Sequence, residues 1–405
     1  MANSARPAAV GFIFVTLLLD IVGLGIIIPV IPQLIQELTG ADVSEASRYG
    51  GWLLFAYAFF QFLFAPLVGA LSDRYGRRPV LLLSLLGFGL DYLVLAFAPT
   101  LAWLFVARVV SGIFGASFTT GFAYIADVSP PEKRAQNFGL VGAAFGLGFI
   151  IGPVTGGILG ELGPRVPFFV AAGLTLLNMA YGYFVLPESL PADRRRPFEW
   201  KRANPLGTLL ALRRYPQVIG LISSLVFVYI ASHAVQGTWA YFTIEKFNWS
   251  PKDIGLSLGA VGILSAFVQG FLIRKAIPAI GPWRTLIVGM VCNVVGLILF
   301  ALVQQQWMLY AFLVPYAFGG LAGPALQGLL SNGVPENEQG ELQGAMSSMM
   351  SATSIVGPPL MTTIFATFTE AGAPIYFPGA PFVAGALLSA TSLVLILGQY
   401  RKSKL

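Results

Sequence analysis

Twelve apolar runs of about 20 residues, separated mostly by short polar loops, leave this 405-residue chain few folds to choose from. They fall near 9–31, 50–70, 79–98, 101–125, 138–160, 167–186, 217–241, 254–273, 284–303, 307–331, 342–368 and 379–399. A helix of about 20 residues spans the roughly 30 Å hydrocarbon core of a bilayer. Lipid offers no hydrogen bonds, so each run must satisfy its own backbone as a helix. Charged residues make up only 10% of the chain, against roughly 25% in soluble domains. The reading is an all-α, multi-pass membrane protein. The first run is too long for a signal-peptide core and reads as a retained helix.

Lysine and arginine set the orientation. With the N-terminus cytoplasmic, 19 of the 24 fall in cytoplasmic segments, among them Arg74, Arg77, Arg78, Lys133, Arg194, Arg274 and Arg401. Arg48, Arg165, Lys246 and Lys252 lie outside, and Arg108 lies within a span. Both termini are therefore expected inside. Topology accounts for the net charge of +6, which gives no nucleic-acid signal. One cysteine, Cys292, and one histidine, His233, exclude an intramolecular disulfide and a cysteine-cluster metal site.

The longest polar stretch divides the chain into a six-helix half at 1–187, a basic cytoplasmic linker at 188–216 and a second half at 217–405. A shift of 205 residues lays Gly115 on Gly320, Pro130 on Pro335, Gly139 on Gly344 and Gly152-Pro153 on Gly357-Pro358. Two parallel six-helix repeats with a binding site between them form a transporter architecture.

Charges inside the spans are the first functional candidates, because each costs at least a few kcal/mol there. They are Asp20 in the first span, Asp91 in the third and Arg108 in the fourth. A carboxylate in such a site can take up and release a proton, and arginine cannot. The structural alternative is that Arg108 pairs with an aspartate and pins two helices, or that Asp91 packs against Tyr92, Gly87 or Gly89. Tyr57, Gln61, His233, Gln236, Trp239, Gln269, Asn293 and Gln327 are candidate cargo contacts, spread over both halves. For each of them packing is an equal reading.

The loop between the second and third spans reads Gly69-Ala-Leu-Ser-Asp73-Arg74-Tyr-Gly76-Arg77-Arg78-Pro. It resembles the signature of the major facilitator superfamily. Gly148-x-x-x-Gly152-Pro153-x-x-Gly156-Gly157 resembles the fifth-helix motif of its proton-coupled drug exporters. Phe145–Pro153, Leu90-Asp91-Tyr92-Leu93 and Pro324-Ala-Leu-Gln327-Gly look like the tetracycline/proton antiporters. That resemblance implies exchange of a cytoplasmic drug for an external proton, in the inner membrane of a bacterium, by a protein that works as a monomer. It implies proton coupling at Asp20 and Asp91, biased by Arg108. It also implies a gate at Gly69, Asp73, Arg74, Gly76, Arg77, Arg78 and Asp127. Asp73 is expected to meet the start of the eleventh span, and Arg77 to pair with Asp127. No cofactor is implied; magnesium would enter only within a chelated cargo.

Ser265 and Asn293 stand where standard members of that group carry a histidine and an acid, so coupling rests on the first half. The rival reading is a transporter of an endogenous sugar, organic acid or siderophore; a membrane receptor is a third. Nothing in the chain has the pattern of a nucleotide-binding loop, a zinc site or a hydrolase nucleophile.

Overall fold

Prolines and glycines punctuate the apolar runs, and they mark most helix ends in the computed structural model, which describes residues 5–115, 118–197, 219–334 and 339–402. The helices are α1 (Ala5–Ile27), α2 (Ile31–Thr39), α3 (Val43–Tyr75), α4 (Arg77–Phe97), α5 (Leu101–Gly115), α6 (Phe118–Val128), α7 (Pro131–Gly160) and α8 (Val166–Val185). They continue as α9 (Ile219–Phe247), α10 (Pro251–Phe267), α11 (Ile273–Ile280), α12 (Pro282–Leu302), α13 (Gln306–Phe318), α14 (Ala322–Asn332), α15 (Gln339–Thr367) and α16 (Ala380–Lys402). Among the described residues there is no strand, and 12 helical stretches are long and apolar enough to cross a membrane. The all-α, twelve-span expectation therefore holds. Most of the linker, residues 198–216, lies outside the described residues, as does Pro335.

The runs are not all single helices. The first, read as 9–31, ends at Ile27, and α2 starts afresh with Pro32 near its N-terminus. Proline has no N–H to give, and the first turn of a helix needs none. The eighth carries a π-helical turn at Val268–Leu272. In the tenth, a 3-10 turn at Gly319–Leu321 separates α13 from α14. The fourth is described as α5, up to Gly115, and α6, from Phe118.

The chain forms two compact units. The first comprises Met1–Gly40, Ala56–Pro205 and Ser250–Gly259; the second comprises Ala41–Phe55, Leu206–Trp249 and Ala260–Leu405. Two segments thus depart from a division by chain order: the start of α3 packs in the second unit and the start of α10 in the first.

In the first unit α1 lies along α7 and α8, while α4 packs on α5 and α8. Phe12, Ile13, Leu17 and Ile21 of α1 meet Leu81, Tyr124, Ile125 and Ala144 in one core. Burying apolar groups gains little when the alternative is a lipid tail, so close fit matters more here than in water. A methyl group on Gly255 of α10 would strike the carbonyl of Pro153 and lie 3.0 Å from Gly157 Cα. In the second unit α9 packs on α15 and α16, and α12 on α13 and α16. The glycine crossing recurs there. A methyl group on Gly51 of α3 would lie 3.3 Å from the Pro358 carbonyl and 3.1 Å from Thr362 Cβ. Pro153 and Pro358 are 205 residues apart, so the repeat is one of contacts as well as letters.

The repeat also reaches the backbone at the sharpest turns. Gly76 (φ 105°, ψ 159°) precedes α4, and Gly281 (φ 81°, ψ 161°) precedes α12; they too are 205 apart. Side chains other than hydrogen are essentially barred from that region. Around Gly281 a Cβ would meet open space. Gly281→Ala therefore isolates backbone strain and is expected to lower stability by about 1–3 kcal/mol, read as a fall in melting temperature of the purified protein. Gly323→Ala, in α14 with equal space around it, is expected to leave the melting temperature level or raise it, since alanine is the better helix former. Similar effects of the two substitutions would contradict the strain argument.

Candidate functional site

The charged loop is built around Arg77. Its side chain is only 11% exposed, and Nη1 lies 2.5 Å from Asp73 Oδ1. Nη1 also donates to Ser72 Oγ at 2.6 Å, and Nε to Asp127 Oδ2 at 3.2 Å. Only the fixed fork of a guanidinium serves partners on α3 and α6 at once. The expected Arg77–Asp127 pair is present, and the Asp73 carboxylate pairs with Arg77 one helical turn on. Arg78 donates to the Tyr183 carbonyl at 2.6 Å and lies over that ring. Arg74, exposed, sits against Tyr75. Gly69 faces Thr119.

Glu188, read only as the first residue of the linker, belongs to this site. Its Oε1 accepts the Arg77 N–H at 2.9 Å and the Leu190 N–H at 3.0 Å, while Oε2 lies 3.8 Å from Arg195. A carboxylate here satisfies an orphan donor of the α4 N-terminus and complements its dipole. The Arg196 N–H donates to the Asp73 carbonyl at 3.1 Å. The start of the linker is thereby tied to the loop.

A second cluster lies within the spans of the first unit. Asp91 on α4 is 2% exposed and Arg108 on α5 is 7% exposed. Arg108 Nη2 reaches Asp91 Oδ2 at 3.4 Å, and Ser111 Oγ donates to the same oxygen. Asp91 Oδ1 and Arg108 Nε find no hydrogen-bond partner among the described residues. The pair is therefore only half satisfied. Two charges in a low-dielectric site hold together, but removing either partner would strand the other. An apolar groove between α4 and α5, lined by Leu83, Leu90, Trp103 and Val106, reaches Asp91.

Glycines on α5 bring α3 close to this pair. A methyl group on Gly112 would lie 2.5 Å from the Tyr57 carbonyl, and one on Gly115 would lie 2.8 Å from the Tyr57 hydroxyl. Gln61 Nε2 donates to that hydroxyl at 3.1 Å and to the Gly115 carbonyl at 3.2 Å. Tyr57 and Tyr92 are near enough to Arg108, Asp91 and Asp20 to feel their charge. Asp20, on α1, faces the amide of Asn178 on α8.

The glycines of α7 hold α1 in place. Gly148 faces Ile21, Gly152 faces Val22 and Gly25, and Gly156 faces the Ile26 carbonyl, while Pro153 and Gly157 face Gly255. Each contact is backbone against backbone or against a branched side chain, so a Cβ has nowhere to go.

The remaining candidates lie in the second unit, where Asn293 and Gln269 pack on the neighbouring glycines Gly319 and Gly320. His233 on α9 is buried with its ring against Gly357. Gln236 is exposed and donates to Ser232. Trp239 packs edge-on against Phe300 and Phe382. Asn293 Oδ1 accepts from Ser389 Oγ at 2.9 Å, and Gly319 packs on the same residue. Gln269, in the π turn, and Gln327, on α14, are exposed. The structure thus joins Tyr57 and Gln61 to Asp91 and Arg108, and it uses Trp239 and Asn293 in helix packing. Sequence reasoning missed Ser72, Ser111, Asn178 and Glu188. A helical-face count would have found Ser111, which lies three residues after Arg108. Among the described residues no three His, Cys, Asp or Glu side chains converge as a metal site.

A family model, that of the Major Facilitator Superfamily, matches residues 13–358 and 234–403. The chain is 40% identical to the class C tetracycline resistance protein of Escherichia coli, over 92% of each chain. It is 38% identical to the class G protein of Vibrio anguillarum, over 91% of this chain and 92% of that one. Among solved structures, the nucleoside transporter NupG superposes with a TM-score of 0.78 over 97% of this chain and 100% of that one. At 12% identity it bears on the fold alone.

The geometry of the loop makes a prediction. Lysine keeps the charge of Arg77 but cannot reach Asp73, Ser72 and Asp127 together. Arg77→Lys is expected to lower the stability of the purified protein by about 1–3 kcal/mol. Arg74→Lys, at an exposed position, is expected to stay within about 0.5 kcal/mol of the parent. Thermal melts of both variants check this, and indistinguishable curves would count against the fork.

Proposed function

Because the chain belongs to the Major Facilitator Superfamily, we propose that it is a proton-driven exporter of tetracycline-like and other lipophilic drugs. It is a multi-pass inner-membrane transporter by its twelve apolar helices and its relatives. The observation that carries the reading is identity of 38–40% to curated tetracycline resistance proteins over nine-tenths of the chain. The buried charges supply the chemistry. Asp20 and Asp91 are the proton carriers, and Arg108 fixes which charge state Asp91 prefers. Each carboxyl sits in a half-satisfied polar site, where gain or loss of one charge changes the local energy by several kcal/mol. A change of that size can bias an equilibrium between two conformations.

The charged loop around Arg77 and Asp127 is the gate, and the α7 glycines are the close-packed seam on which α1 bears. Tyr57, Gln61, His233, Gln236, Gln269 and Gln327 are the cargo contacts; Trp239 and Asn293 act by shaping the helices that carry them. The energy comes from the proton gradient, so the protein is a transporter and no enzyme. It works as a monomer, needs no resident cofactor, and meets magnesium only as part of a chelated drug.

Proteoliposome flux tests this. Under an imposed pH gradient the parent is expected to accumulate tetracycline or an unrelated lipophilic drug. Asp20→Asn and Asp91→Asn, which cannot take up a proton, are expected to lose at least about tenfold of that accumulation. Accumulation that ignores the pH gradient would remove proton antiport. Movement of a sugar or organic acid with all drugs inert would replace the drug reading with the metabolite one.

A further inference from the structure

The groove between α4 and α5 that reaches Asp91 has a volume of about 220 Å³. Its walls run from Leu83 to Val94 on α4 and from Trp103 to Phe114 on α5. At a rise of roughly 1.5 Å per residue, each wall is about 16 Å long. No polar atom lines it. The Asp91 carboxylate is held by Arg108 and Ser111, neither of which lines the groove. Leu83, Leu90, Trp103 and Val106 on its rim are 49–59% exposed. Within spans that cross a membrane, that exposure is to hydrocarbon. A Cβ on Gly87 would lie 2.5 Å from Phe114 Cγ, so the missing side chain lets that ring lie against α4 beneath the groove.

We propose that this groove binds one acyl chain of a membrane phospholipid, in the leaflet opposite the charged loop. Chemistry, width and depth select that occupant. An apolar cavity of roughly 150 Å³ stays dry and takes up hydrocarbon, and this lining offers no bond to a charged or polar guest. Spread over a length of about 16 Å, the volume leaves a cross-section of roughly 14 Å². One extended hydrocarbon chain fits such a slot, whereas a helix of a second copy, about 10 Å across with its side chains, does not. The groove begins at Val94, one turn inside the end of α4 at Phe97, and passes the helix midpoint at Gly87 to reach Leu83. Its length is about half of the roughly 30 Å hydrocarbon core, the depth that one leaflet supplies. Trp103 stands at the mouth, and tryptophan favours the headgroup level. A chain seated there packs on both walls and fixes the spacing of the two helices that carry Asp91 and Arg108.

The site goes beyond the exporter reading and does not depend on it, so its test needs no drug. The full-length protein is reconstituted in nanodiscs with a phosphatidylethanolamine that carries a photoactivatable diazirine midway along one acyl chain. After extraction into detergent and washing, the sample is illuminated and the labelled peptides are identified by mass spectrometry. Labelling within 83–94 and 103–114 is expected to survive the wash and to exceed labelling around the exposed Val288, Val291 and Val295 of α12 by at least about tenfold. Val106→Trp and Leu90→Trp fill the groove from either wall. Both are expected to cut the groove labelling by at least about tenfold and leave α12 unchanged, with melting temperatures recorded to show that the variants fold. Labelling no stronger than on α12 would identify ordinary bulk lipid and overturn the site. Groove labelling retained by both folded tryptophan variants would overturn it as well. A dimer cross-linked through these two peptides would make a second copy the occupant and overturn the lipid assignment.

Discussion

A polar group inside hydrocarbon has no water to fall back on, and every functional feature of this protein is a response to that constraint. Asp91 and Arg108 are held together because neither survives alone at that depth as a charge. Ser111 supports the carboxylate from the next turn of the same helix as Arg108. Yet Asp91 Oδ1 and Arg108 Nε have no hydrogen-bond partner among the described residues. A fully satisfied pair would be a rivet. A half-satisfied pair stays responsive to one proton, which is the property a coupling site needs.

The same constraint explains the glycines. With apolar burial contributing little between helices in lipid, contact distance becomes the main source of attraction. The α7 glycines bring its backbone against Ile26 and Val22 of α1, so Asp20 on that helix has a fixed address. The crossing of Gly255 on Pro153 in one unit and of Gly51 on Pro358 in the other shows one packing solution used twice. Gly76 and Gly281, with near-identical backbone angles before α4 and α12, make the same point at the turns. In the second copy the aspartate of the loop is gone while the turn remains. Turn geometry and gate chemistry are therefore separable properties of the motif.

Much of this was legible in the letters. Span length and the basic-residue asymmetry identified a twelve-helix membrane protein, because lipid thickness permits few alternatives. The loop motif foretold the Arg77–Asp127 pair, because charged groups beside the membrane face few possible partners. Two things were less visible. The 3-10 turn at Gly319–Leu321 falls within an unbroken apolar run, where composition gives no sign of a change in hydrogen-bonding pattern. The assignment of 41–55 and 250–259 to opposite units depends on backbone approach at Gly51 and Gly255, which no hydropathy scale registers.

Asn293 brings these strands together. The resemblance to the tetracycline/proton antiporters implies an acid at its position, and it is neutral here. Its oxygen takes a hydrogen bond from Ser389, and Gly319 packs on its side chain at the 3-10 break. An acid at that spot would face a hydroxyl and a close glycine, and burial there would disfavour its charged form. The amide keeps the hydrogen bond without the charge. The amide at this position serves packing, and His233 in the same unit is buried with its ring against Gly357. In the first unit, by contrast, Asp91 and Arg108 stay within the spans by pairing with each other.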